Sequence, residues 1–210
     1  MTALPRSITA LPAAAPGMRI GLFGGSFNPP HEGHRLVALQ ALKRLNLDAV
    51  WLLVSPGNPL KDHSDLAPLA ERVEAARRVV RHPRVHVTGF EAARGFTYTY
   101  EALRFLRQTH PGVRFVWIMG ADNLSQFHQW ERWREIARLM PMAVYVRPGS
   151  TRLAPVSPAA VALAPYRVDE RDAPLLAAMR PPAWVYLHGL MSSLSSSRIR
   201  LERQRKSKVL

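Results

Sequence analysis

Met18-Arg19-Ile20-Gly21-Leu22-Phe23-Gly24-Gly25-Ser26-Phe27-Asn28-Pro29-Pro30-His31-Glu32-Gly33-His34 is the stretch on which the fold turns. Its first six residues are a short apolar run stopped by two glycines, the pattern of a buried strand. From Gly33 the period changes: Leu36, Val37, Leu39, Leu42 and Leu45 recur at helical spacing. A buried strand that passes through a glycine turn into an amphipathic helix opens an α/β crossover unit.

The alternation continues along the chain. Ala49 to Val54 reads as a second buried strand, Leu69 to Val80 as a helix and Val85 to Val87 as a strand. A helix is expected from Tyr98 to Gln108, a strand from Val113 to Met119 and a helix from Trp133 to Leu139. Met142 to Val146 and Trp184 to Leu187 read as extended. The expected class is α/β: a Rossmann-like, doubly wound, mostly parallel sheet with helices on both faces. Right-handed crossovers bring the strands' C-terminal ends to one rim, where ligands bind at the reversal of strand order.

Residues 18–201 are read as this domain, 1–17 as a disordered tail with prolines at 5, 12 and 16, and 202–210 as a basic tail. Within the domain, residues 147–182 carry prolines at 148, 155, 158, 165, 174, 181 and 182 and read as an irregular excursion. Ser192 to Ser197 lead into a closing helix.

The chain has 210 residues and no cysteine, which excludes disulfides, thiolate metal sites and cysteine nucleophiles. No apolar run nears the roughly 18 residues that span a bilayer, and Pro12 breaks the sole candidate for a secretory core. No membrane association and a cytoplasmic location are therefore expected. With 29 Lys+Arg against 15 Asp+Glu the net charge is +14, which attracts polyanions: nucleic acid, anionic lipid or phosphorylated small molecules. A merely solvated, arginine-rich surface would look the same. A homo-oligomer is left open.

The segment Gly24 to His34 lies between a strand and a helix start, where main-chain N–H groups and the helix dipole gather anions. Glycines let the main chain approach a phosphate closely. His31 and His34, three apart, share one face, and each can donate a hydrogen bond to a phosphate oxygen. Metal ligation or a structural role for the pair would also suit the spacing. A second segment, Leu194-Ser195-Ser196-Ser197-Arg198-Ile199-Arg200, reads as a capped helix start or as a phosphate site assisted by arginine. In a third, Gly120-Ala121-Asp122 follows a strand, so that Asp122 either caps a turn or reaches ribose hydroxyls; Trp130 and Trp133 come next. A fourth, Phe96-Thr97-Tyr98-Thr99-Tyr100-Glu101, reads as a helix start capped by Thr97 or Thr99. Asn58-Pro59-Leu60-Lys61 follows the second strand, and Lys61, aided by Arg72, either meets phosphate or is an ordinary surface cation.

These segments, taken in order, resemble the nucleotidyltransferase superfamily with a His-x-Gly-His box, and in particular the bacterial nicotinate-nucleotide adenylyltransferases. The distal box departs from Ile-Ser-Ser-Thr-x-Ile-Arg at Leu194 and Ser197, and the acceptor box from Ser-Tyr-Thr-x-Asp-Thr-Leu at Thr97, Glu101 and Ala102. The family's Pro-Pro-His-Lys loop lacks its histidine here. The resemblance implies adenylyl transfer from ATP, with Mg2+ carried by the nucleotide, to nicotinate mononucleotide. It implies catalytic roles for His31, His34 and Arg200, and an ATP site of Gly24, Gly25, Ser26, Phe27, His31, His34, Gly120, Asp122, Ser196, Ser197 and Arg200. The implied acceptor site is Asn28, Lys61, Tyr98, Thr99 and Trp130, with Trp130 stacked on the pyridine and Trp133 as the other choice. Nicotinamide mononucleotide or another phosphorylated acceptor is the alternative substrate. A non-catalytic nucleic-acid binder is the alternative class, disfavoured by the absence of a binding motif.

Overall fold

The computed structural model describes residues 4–57, 65–146 and 154–189. Seven strands form one sheet: β1 Arg19–Gly25, β2 Ala49–Val54, β3 Val85–Thr88, β4 Arg114–Gly120, β5 Met142–Tyr145, β6 Arg167–Val168 and β7 Trp184–Leu187. Their order is β3-β2-β1-β4-β5-β7-β6, and every adjacent pair is parallel. The order runs outward in opposite directions from β1 and β4, which makes the gap above Gly25 and Gly120 the switch point where ligands bind such sheets.

Parallel strands covered on both faces must be apolar throughout, and every residue of β2 is buried. Alternation sends Phe23, Leu52 and Ile118 to one face, where α2 (Glu32–Arg44) and α3 (Leu69–Val80) supply Val37, Ala41, Val73 and Ala76. Leu22, Trp51 and Trp117 go to the other, against Leu103 and Leu106 of a helix at Thr99–Thr109 and Ile136 of one at Trp133–Leu139. The helices expected at Leu69 to Val80 and Trp133 to Leu139 have those bounds.

Residues 4–17 are packed, where a disordered tail was expected. A short helix, α1 (Arg6–Thr9), buries Ile8 in the core. Gly89 N–H donates to the Ile8 carbonyl (2.8 Å), Thr88 Oγ1 to that of Ala10 (2.8 Å) and Arg77 Nη2 to that of Ser7. The arm is held by main-chain atoms, so its sequence carries no periodicity to reveal the docking. Residues 154–178 are irregular in composition and built from short turns, yet firmly seated. Ala154, Ala159, Ala160, Ala173 and Leu176 are buried, and the Trp184 indole N–H donates to the Leu163 carbonyl (2.7 Å). The segment also supplies a short helix at Pro158–Ala162 and the edge strand β6, which was not expected. The serine cluster and closing helix lie outside the described residues, as do both ends of residues 1–3 and 202–210.

Candidate active site

β1 ends in the glycine turn at the switch point. A Cβ on Gly24 would lie 2.1 Å from Cη2 of Trp117, so glycine is required for the indole of β4 to lie against the strand. Phe27 holds φ at +45°, a left-handed conformation that costs a phenylalanine energy and persists only when packing enforces it. Its ring is fully buried, edge-on to Phe23 (5.5 Å) and to His34 (4.9 Å). Phe27 therefore acts as a floor under the histidine, with its main chain left to reach a ligand.

His31 is the N-cap of α2. Gly33 N–H donates to His31 Nδ1 (3.1 Å), and His31 N–H donates to His34 Nδ1 (3.1 Å), a reciprocal cap built from two imidazoles. A ring whose Nδ1 accepts a hydrogen bond carries its neutral-state proton on Nε2. Both rings are thus preset as Nε2–H donors, tilted against one another with centroids 3.8 Å apart, and buried.

Two further side chains set the turn. Asn28 Nδ2 donates to the Asp65 carbonyl (2.7 Å) and Oδ1 accepts from Ala67 N–H (3.3 Å), which ties the turn to the chain entering α3. These atoms of Asn28, expected at the acceptor, clamp the turn. Arg72 is buried and donates to the carbonyls of Ala67 (2.7 Å), Ser26 (2.8 Å) and Ser55 (2.8 Å). Burial pulls its pKa down from the usual value. The arginine read as a phosphate cation is a tie between three loops.

A cavity of about 330 Å³ opens over this rim. Its wall joins Gly24, Gly25, Ser26, Tyr98, Thr99 and Trp130, six residues assigned from separate sequence segments. Trp117 and Trp130 meet edge-to-face at 6.4 Å. Trp133, the other choice for a stacking ring, packs in the core on Phe127 (5.8 Å). The helix α5 (Thr99–Thr109) points its N-terminus at the cavity, but Thr97 and Tyr98 N–H both donate to Glu101 Oε2 (2.9 Å each). Anion capture by main-chain donors there falls to residues from Thr99 onward.

Asp122 is exposed on α6 (Ala121–Gln126); of that turn it is Asn123 that lines the cavity, and Gly120 is its buried N-cap. His31 and His34, at the start of α2, are not in the cavity wall. Lys61, Ser196, Ser197 and Arg200 lie outside the described residues. Sequence reasoning missed Ser55, Gly57, Glu91, Thr97, Trp117, Asn123, Gln129 and Glu131 as lining residues. A signal existed for Glu91: like Asp122, it is an acid just beyond a strand's C-terminal end. Glu91 sits on α4 (Phe90–Ala93), and burial pushes its carboxyl up to about 8. Among the described residues no group of three or more His, Cys, Asp or Glu forms a metal site, and no helix is long and apolar enough to cross a membrane.

The cytidylyltransferase-like family matches residues 22–202. A "probable nicotinate-nucleotide adenylyltransferase" of Mesorhizobium japonicum is 55% identical over 190 residues, 90% of this chain and 97% of the relative. One of the same name from Methylorubrum extorquens is 57% identical over 183 residues, 87% of this chain and 99% of the relative. The solved nicotinic acid mononucleotide adenylyltransferase of Plasmodium falciparum complexed with NaAD superposes with a TM-score of 0.65 at 16% identity, over 88% of this chain and 83% of that one. That likeness is one of fold.

Proposed function

The chain belongs to the nicotinate-nucleotide adenylyltransferases of the cytidylyltransferase-like family, and from that premise we propose how its site transfers the adenylyl group of ATP to nicotinate mononucleotide. The products are nicotinate adenine dinucleotide (deamido-NAD) and pyrophosphate, a step of NAD biosynthesis. The observation that carries the reading is a rim cavity that joins the glycine turn to a tryptophan-walled pocket and a helix N-terminus.

The acceptor's 5′-phosphate oxygen attacks the α-phosphorus of ATP in line, and the P–O bond to pyrophosphate breaks. No protein nucleophile is needed, so the chain positions the reactants and offsets developing charge. The Nε2–H groups of His31 and His34 donate to phosphate oxygens, with tautomers already set by the cap. Main-chain N–H groups of Gly25 and Ser26 face the same anion, and Ser196, Ser197 and Arg200 take the far phosphates. Trp130 stacks on the pyridine, and Thr99 with the start of α5 receives its carboxylate. Lys61 meets the acceptor phosphate. Magnesium enters as part of the nucleotide substrate and supplies charge for the departing pyrophosphate. Absence of cysteine suits a cytoplasmic setting.

The test is incubation of the full chain with ATP, magnesium and each of nicotinate mononucleotide, nicotinamide mononucleotide and phosphopantetheine, with pyrophosphate as readout. Release with the nicotinate acceptor is expected. No release with any acceptor, together with salt-steep binding of DNA or RNA, would instead favour the nucleic-acid binder.

A further inference from the structure

The described wall of the cavity contains no lysine, arginine or histidine, and it contains two acids, Glu91 and Glu131. A ring carboxylate entering it meets no cation of the described wall, and a fixed negative charge beside it would oppose binding. Glu91 is the half-buried acid there, on α4, which packs on α1, whereas Glu131 is exposed.

The Glu91 carboxyl makes no hydrogen bond or ion pair within the described residues. The ionisable groups around it are Tyr98 and Glu131 on the cavity wall and Arg94 at the end of its own helix. From α1, which packs on α4, comes Arg6, which is exposed. From α5, packed through Phe105 on Phe90, come Glu101, Arg104 and Arg107. Glu101 accepts from Thr97 and Tyr98, Arg107 donates to the Val113 carbonyl, and Arg94 covers the Phe105 ring. Among the described residues no cation pairs with Glu91, and β2, which α4 contacts, has no charged residue.

We propose that Glu91 is a specificity-determining residue of the acceptor pocket: its carboxyl O–H donates to the ring carboxylate of the acceptor, and loss of that proton excludes an acid while still admitting an amide. An ionised Glu91 repels a carboxylate but accepts a hydrogen bond from a carboxamide NH2. Burial holds the group protonated to about pH 8, so the donor form prevails near neutrality. The proposal rests on the adenylyl-transfer reading.

The experiment measures kcat/KM for nicotinate and nicotinamide mononucleotide between about pH 6 and about pH 9.5 on wild type, Glu91→Gln and Glu91→Ala. The ratio of the two is the readout, because both acceptors share the phosphate whose own titration then cancels. In wild type the acid-to-amide ratio falls by roughly tenfold or more as pH rises through the carboxyl's range. In Glu91→Gln, which keeps a donor but cannot ionise, the ratio is flat to about twofold. In Glu91→Ala it is also flat, with KM for the acid raised roughly tenfold and kcat little changed. A flat wild-type ratio, or a Gln variant that keeps the wild-type slope, overturns the proposal; the wild-type profile decides it even if both variants fail to fold. Transfer with a flat ratio removes only the role of Glu91. No pyrophosphate from either acceptor removes the adenylyl-transfer reading and this one together.

Discussion

The two ends of the site are built in opposite ways. At the phosphate end, His31, Gly33 and His34 cap one another within four residues, and Phe27 lies directly beneath. At the acceptor end, Glu91, Trp117 and Trp130 come from three elements, and no two of them touch through local chain geometry. A locally built site has preset donors and can be recognised as a string of residues. A dispersed one is defined by packing, so its properties, including the charge of Glu91, follow from what surrounds it.

The contrast yields four predictions, in falling order of effect. His34→Ala removes a preset donor and also the acceptor of His31 N–H; kcat should fall by about 10²–10³, the cost of one lost transition-state donor, with the far-UV spectrum unchanged. Arg72→Met leaves the Ser26, Ser55 and Ala67 carbonyls without their donor; unfolding in urea should show a loss of about 2–4 kcal/mol, and activity should fall even at temperatures where the variant is folded. Trp130→Ala should raise the acceptor KM about tenfold, the worth of one stacked ring, and leave the KM for ATP unmoved. If the ATP KM moves as much, the two ends are not separable.

The smallest effect is on stability against pH. Glu91 is raised from the ordinary 4.5 to about 8 in the folded protein, so between those values the folded state binds more protons than the unfolded chain. Stability therefore falls as pH rises across that window, and the loss is complete above it. Glu91→Gln removes that slope: its Tm should exceed wild type at about pH 9 and match it at about pH 5. Equal Tm differences at both ends of the window would place Glu91 in a solvated setting.

Most of the sheet was legible. β2 is apolar at every position because both of its faces are covered, and α3 shows its periodicity because one face alone is buried. The arm at residues 4–17 was misread because main-chain hydrogen bonds to Gly89 and Thr88 leave no mark in residue type. The clamp of Asn28 and the ties of Arg72 were not legible, because a polar side chain looks the same in sequence whether it faces a substrate, solvent or a neighbouring loop. Trp130 and Trp133 stood three residues apart, with Trp130 the better match; both lie edge-on to Phe127, and burial separates them, Trp133 into the core and Trp130 into the cavity wall.

Sequence by itself determined the parallel α/β architecture, the glycine turn and the imidazole pair, because each depends on interactions a few residues apart. Tertiary structure decided which tryptophan lines the cavity, that Arg72 ties loops together, and that Glu91 stands in the cavity wall with no cation paired to it among the described residues. Those properties depend on what lies across a gap from the side chain, and burial, partnering and local charge arise only when distant segments meet.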